Sequence, residues 1–139
     1  MMLDMEQRSH PVAEVSTSLP AVLSSQSTAR RFVGDTLRAW GLGSVAEDAV
    51  QIASELVANV LRHTVYKPIL RLRRTGPRLR LEVEDSSSLL PVRKEGGPSG
   101  GWGLTLVDQL SDSWGVRTHP AGKVVWCEID SERAPVGAY

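Results

Sequence analysis

Two short stretches constrain this chain more than any others. In Ile69-Leu70-Arg71-Leu72-Arg73 and again in Arg78-Leu79-Arg80-Leu81-Glu82-Val83-Glu84, apolar and charged residues alternate one for one. A period of two places all the leucines on one face and all the charges on the other, which only an extended strand does. Thr75-Gly76-Pro77 between them reads as a turn, so the pair predicts a β-hairpin covered on one face and open on the other. Some other part of the chain must supply the cover.

Candidates for that cover lie upstream. From Thr28 to Trp40, the apolar residues Ala29, Phe32, Val33, Leu37 and Trp40 recur at helical spacing, and Gly41 and Gly43 end the run. Ser44-Val45-Ala46-Glu47 has the form of a capping box. It opens a second predicted helix over Val45 to His63, whose Val45, Ala49, Ile52, Ala53, Leu56, Val57 and Val60 form one apolar face. Val12 to Leu19 reads as an edge strand stopped by Pro20. Ser86 to Gly100, rich in Ser, Gly and Pro, reads as a loop, and Leu104 to Leu110 as a third helix. Trp114 to Thr118 and Val124 to Ile129 form a second hairpin, with its turn at Pro120-Ala121-Gly122-Lys123.

Strands grouped in pairs, with helices between the groups, predict an α+β fold. The expected form is a two-layer sandwich, a mixed and mostly antiparallel sheet with its helices on one face. A length of 139 residues suits one domain. It is expected over residues 12–130, between flexible tails at 1–11 and 131–139.

Three places could carry chemistry. In the first, Glu55, Asn59 and His63 follow one another at four-residue spacing and form a single row on the second helix. A carboxylate and a carboxamide one turn apart suit a hydrated Mg²⁺ ion and the phosphates it binds. The glutamate can also orient or deprotonate a nucleophile. The plain alternative is a solvated helix face. In the second, Asp85 stands where a buried strand ends. It serves there as a turn residue, or as an acceptor for the exocyclic amine of a purine. In the third, Gly100-Gly101-Trp102-Gly103 opens the third helix, and such a junction lets backbone N–H groups approach a phosphate. No Lys-Ser/Thr pair follows these glycines, which excludes a P-loop.

Taken in order, these motifs resemble the ATP-binding domain family shared by histidine kinases, gyrase B, Hsp90 and MutL. The fold this implies is the Bergerat type. The closer resemblance is to the small anti-sigma-factor serine/threonine kinase branch and its stand-alone actinobacterial relatives. Ser54-Glu55-Leu56-Val57-x-Asn59-x-x-Arg62-His63 is similar to that branch's N box, and Asp85-x-Ser87-x3-Pro91 to its first glycine box. Gly101-x-Gly103-Leu104-x-Leu106-Val107 is similar to its second glycine box, with Gly122-Lys123-x2-Trp126 closing the domain. The likeness runs from about Glu14 to Ile129.

The resemblance implies ATP and Mg²⁺ as cofactors. Asn59 would ligate the metal, Glu55 would be the catalytic base or orienting carboxylate, and Asp85 would bind the adenine amine. Gly101 and Gly103 would shape a lid over the phosphates. His63, Ser87, Leu104 and the lid's Arg93 and Lys94 complete the implied nucleotide-binding set. The implied activity is transcription control by partner switching, with a sigma factor, an anti-sigma antagonist or both as partners, and phosphorylation of a Ser or Thr on the antagonist. Here Val60 follows the asparagine where the family commonly has Ala, Ser87 replaces a glycine, and the lid over Val92 to Ser99 is short. A short lid motivates the alternative of an interaction module without nucleotide turnover or binding.

Charge bears on the partner. Sixteen basic and sixteen acidic residues balance to zero, which argues against a nucleic-acid binder working by bulk charge. The balance is uneven along the chain, because Arg62, Lys67, Arg71, Arg73, Arg74, Arg78 and Arg80 run without an intervening acid. This segment predicts either a sheet face neutralised by cross-strand pairing to Glu82 and Glu84, or a docking surface for an acidic protein or a second copy of the chain. No apolar run approaches the roughly 20 residues that span a bilayer. The N-terminus has no secretory apolar core. A single cysteine, Cys127, forms no internal disulfide, so the expected location is cytoplasmic. Trp40, Trp114 and Trp126 are expected to pack, and Trp102 to lie within the lid.

Overall fold

The computed structural model describes residues 12–63, 66–85, 104–120 and 122–132. Five strands form one sheet: β1 (Val12–Ser18), β2 (Ile69–Thr75), β3 (Arg78–Asp85), β4 (Ser113–His119) and β5 (Gly122–Asp130). Their order is β1-β2-β3-β5-β4. Every pairing is antiparallel, so the sheet is not mixed among the described residues. Three helices accompany it: α1 (Ser25–Ala39), α2 (Ala46–His63) and α3 (Leu104–Leu110).

The period of two sets the two faces of the sheet. Leu70, Leu72, Leu79, Leu81 and Val83 are buried against the helices, and Cys127 and Ile129 of β5 join them. From the helical side come Ala29, Val33 and Leu37 of α1, with Ala49, Ile52, Ala53, Leu56 and Val57 of α2. Each fully buried Leu or Ile contributes about 1.5–3 kcal/mol of transfer free energy, so this single layer of contacts supplies most of the drive to fold.

Helix α1 begins three residues earlier than its apolar spacing predicts and ends close to the expected place. Gly41 has φ +74°, a conformation open to glycine at little steric cost. There Gly41 N–H donates to the Arg38 carbonyl at 3.2 Å, and Leu42 N–H to the Leu37 carbonyl at 2.8 Å. This pair of hydrogen bonds is the Schellman arrangement, and Leu42 is buried beside it. Arg74 adds a second clasp by donating to the Trp40 carbonyl through Nη1 and to the Gly76 carbonyl through Nε. A short 3₁₀ turn over Gly43–Val45 stands where the capping box was expected, and α2 starts after it, with Glu47 and Asp48 in its first turn favouring the helix dipole.

The second hairpin departs from expectation. Its strands are longer, and β5 already begins at Gly122. Lys123 is therefore a strand residue and pairs in register with Asp85 at the end of β3.

Candidate functional site

Helix α2 lies over β3, and their ends enclose a cavity of about 150 Å³. An apolar void of roughly that volume accepts a benzene ring, so this one is sized for part of a flat aromatic group. Asn59 and Val60 of α2 reach it from above, and Asp85 and Lys123 from the sheet. Leu104, the first residue of α3, closes one side, and Trp114 and Val116 of β4 close another.

The polar groups of this cavity are buried. Asp85 is 1% exposed, Asn59 3% and Lys123 5%. Buried polar groups are costly unless hydrogen-bonded, and these have partners. Lys123 Nζ sits 2.5 Å from Asp85 Oδ2, the one ion pair among the described residues with both side chains buried. Arg62 Nη2 donates to Asn59 Oδ1 at 2.6 Å and, more weakly, to Glu55 Oε1 at 3.3 Å. The three residues lie on successive turns of α2, as helical spacing dictates.

Glu55 stands at the rim of α2, partly exposed, rather than in the cavity wall. Its neighbour Ser54 is buried and fixed to α1: Gln26 Nε2 donates to Ser54 Oγ at 3.0 Å and Arg30 Nη1 to the same oxygen at 3.4 Å. These bonds lock the roll of α2 against α1, and so set where Glu55 and Asn59 face.

Of the residues singled out from sequence, Asn59, Asp85 and Leu104 meet around one cavity, although they lie on three separate elements. Glu55 is linked to that group through Arg62. His63 is the last residue of α2, and its side chain lies outside the described residues. Ser87, Arg93, Lys94, Gly101 and Gly103, with Trp102, lie outside them too.

Two residues of the site were missed. Lys123 reads locally as the end of a Pro-Ala-Gly-Lys turn, and only its place in the closing motif with Gly122 and Trp126 hinted at more. Arg62 was grouped with the basic segment, although its spacing of three from Asn59 already put the two within reach.

Most of the basic segment is neutralised within the fold. Arg71 pairs with Glu84 at 2.6 Å, and Arg80 with Glu82 at 2.7 Å and Glu128 at 2.9 Å. Arg78 approaches Glu128 at 3.7 Å. Arg80 also lies 4.4 Å from the ring centre of Trp126, which packs on the open face rather than in the core. Partial burial works against the charge on Arg80, yet its bonds to Glu82 and Glu128 outweigh that and hold its pKa above the ordinary value. Arg74 is spent on the end of α1 and Arg62 on α2. The cross-strand pairing expected of a solvated sheet face is what forms.

Comparison with known proteins agrees with this fold. Residues 19–129 match the family described as histidine kinase-like ATPase domain. Among curated proteins none matches. Among solved structures, the RsbU and RsbW domains of Rv1364c from Mycobacterium tuberculosis superpose with a TM-score of 0.67 at 19% identity. The match covers 86% of this chain and 32% of that one, so this chain spans about a third of the solved protein. At that identity the likeness shows the fold. Among the described residues no helix is long and apolar enough to cross a membrane.

Proposed function

This chain belongs to the histidine kinase-like ATPase domain family, and from that premise we propose that it is a Mg²⁺-ATP-binding regulatory protein similar to the anti-sigma-factor kinases. It would control transcription by holding and releasing a protein partner. The observation that carries this reading is the convergence of Asn59, Asp85 and Leu104 on one cavity of ring size. Three motifs far apart in sequence have no structural need to share a void.

The parts divide the work as follows. Asp85 accepts from the base, and the apolar walls from α2, β3 and β5 exclude water from its faces. Asn59 would hold the metal ion that accompanies the phosphates. A carboxamide oxygen is a neutral, hard ligand that suits such an ion, which would displace the Arg62 guanidinium it now accepts from. Mg²⁺ commonly takes one or two protein oxygens and completes its shell with phosphates and water, which fits a site offering Asn59 with Glu55 nearby. When bound, the ion neutralises charge on the phosphates. Glu55 would orient the hydroxyl of a partner's Ser or Thr and accept its proton, since phosphoryl transfer asks mainly for positioning and charge stabilisation. The partners are a sigma factor, an anti-sigma antagonist or both.

Titration of ATP with Mg²⁺ into the wild type and Asn59→Ala tests the site. The expected result is saturable binding lost or weakened at least about tenfold in the variant, as for loss of a buried polar contact. Equal binding by both, or by neither, would sink the assignment. Labelled ATP and a candidate antagonist then separate transfer from binding alone.

One observation favours a second reading, an interaction module that no longer uses nucleotide. Both groups that would meet the ligand are engaged within the chain, Asp85 by Lys123 and Asn59 by Arg62. Thermal unfolding decides between them. Ligand at 100 times its dissociation constant stabilises by about 2.7 kcal/mol, whereas a flat response at millimolar ATP supports the module.

A further inference from the structure

We infer that Lys123 determines which purine the cavity takes, and that the Asp85–Lys123 pair admits a 6-oxopurine, guanine or hypoxanthine, alongside adenine. The inference rests on the nucleotide reading above and adds to it the class of base.

The starting point is that the ion pair is hard to explain as packing. Taking two charges out of water costs several kcal/mol per ion, and apolar residues of similar volume are often as stabilising or more so. The cavity beside the pair is lined by Leu56, Val60, Val83 and Val125, so apolar replacements would have matching surroundings. A lysine 5% exposed in such a place, facing a cavity rather than solvent, points to a ligand that needs a donor there.

Register explains how the two come together. Asp85 and Lys123 are opposite residues of β3 and β5, and both project to the helix-covered face. They set a carboxylate oxygen and an ammonium 2.5 Å apart at one end of the cavity. An ionised carboxylate only accepts hydrogen bonds, and an ammonium only donates them. The cavity end thus presents an acceptor next to a donor.

Consider the two purines against such an edge. Adenine carries an exocyclic amine, a donor, next to ring N1, an acceptor. Asp85 accepts from the amine and Lys123 can donate to N1, but loss of the lysine costs adenine one contact and sets no acceptor against another. Guanine and hypoxanthine carry a carbonyl oxygen in the place of that amine, with N1–H beside it. Against a carboxylate alone that oxygen would face another acceptor in a buried site, and sites of this kind reject the wrong partner strongly, because buried polar groups are left unpaired. With Lys123 adjacent, a small shift of the ring gives the carbonyl oxygen an ammonium donor, while N1–H meets Asp85. Guanine's 2-amine offers the carboxylate a further donor that hypoxanthine lacks. The pair can therefore read either kind of edge, and the lysine is what removes the penalty on the oxo base.

The experiment is equilibrium binding of ATP, GTP and ITP, each with Mg²⁺, to the wild type and to Lys123→Met, which keeps an unbranched stem and removes the donor. In the wild type the three affinities are expected within about tenfold of one another. In Lys123→Met, GTP and ITP are expected to weaken at least about tenfold more than ATP, since they share the oxygen that Lys123 would meet. A wild type that binds ATP and refuses GTP and ITP by more than about a hundredfold overturns the inference, and this result needs no variant to fold. An unchanged ratio in folded Lys123→Met overturns it equally. If the wild type binds none of the three, the nucleotide reading falls with it. ATP bound in an Asn59-dependent way with GTP refused overturns the base assignment alone.

Discussion

Strand β3 carries charge on both of its faces, and the two faces treat it in opposite ways. On the open side Arg80 is shared between Glu82 and Glu128, and Arg71 between Glu84 and Glu82, with a quarter or so of these side chains still in water. On the covered side one carboxylate, Asp85, meets one ammonium, Lys123, and both are almost wholly buried. The open ladder is redundant and solvated, so its members substitute for one another. The buried pair stands in a low-dielectric setting where each charge depends far more on its partner. The difference teaches where on this sheet a charge is tied to a site: on the side with few charges rather than on the side with many.

Deleting Asp85 tests that contrast most severely. Asp85→Ala leaves the Lys123 ammonium buried without its carboxylate, and the expected loss is about 3–5 kcal/mol in urea unfolding. Replacing both together, Asp85→Leu with Lys123→Met, should return stability to the wild-type value or above it while abolishing nucleotide binding. If Asp85→Ala costs no more than a charge deletion on the open face, the two faces are not different in kind.

Packing on the open face gives the next largest effect. A Cβ added at Gly115 would lie 2.8 Å from Trp126 Cζ2, closer than real contacts come, and 3.0 Å from two further ring atoms. Gly115→Ala is therefore expected to displace the indole and cost about 1–3 kcal/mol, as overpacking does. Because the fault is a clash with one side chain, Trp126→Leu should relieve much of it, and a double-mutant cycle would show the coupling. Additive losses would mean that the glycine matters for its backbone instead.

Single charges in the ladder should matter least. Arg80→Ala removes two partly exposed ion pairs and a contact with Trp126, and is expected to cost about 1 kcal/mol or less, reduced further in 1 M salt. Arg71→Ala should cost no more. A loss from either variant comparable with that of Asp85→Ala would place the open face among the structural determinants of the fold.

How far this arrangement could be foreseen depends on distance along the chain. The hairpin of β2 and β3, the apolar face of α2 and the glycine end of α1 follow from local periods, and each was legible. The meeting of Asn59, Asp85 and Leu104 was legible only as an ordered set of motifs resembling a family, since no local pattern places α2 over the end of β3. Lys123 was assigned to a turn because Pro120, Ala121 and Gly122 are turn residues, whereas its true setting comes from pairing with a strand 38 positions earlier. For the basic segment, pairing to Glu82 and Glu84 was one of two open readings and is what forms, whereas Glu128, 48 residues from Arg80, was not foreseen. Arg74 stands on the covered face with Leu70 and Leu72, as the period of two places it, but the carbonyls it meets at the end of α1 are not visible from the sequence around it.

The smallest effect is expected at Cys127, whose neighbours on β5, Trp126 and Glu128, belong to the open face while its own thiol points into the core. It is fully buried, opposite Leu81. Burial pushes the thiol from its ordinary value of 9.0 up to about 12. The folded state therefore holds the proton more tightly than the unfolded chain does. The sign follows: this contribution to stability is fully present below pH 9 and is lost as pH rises from about 9 toward 12. Between pH 7 and pH 8 it should produce no measurable change in the unfolding midpoint. The native thiol should also resist a thiol-specific reagent at pH 8 and react only as the chain unfolds, because the thiolate is the reactive form. Rapid modification of folded protein at pH 8, at a rate independent of denaturant, would show that the core face of β5 opens locally. That would bring the two faces of the sheet closer in behaviour than their charges suggest.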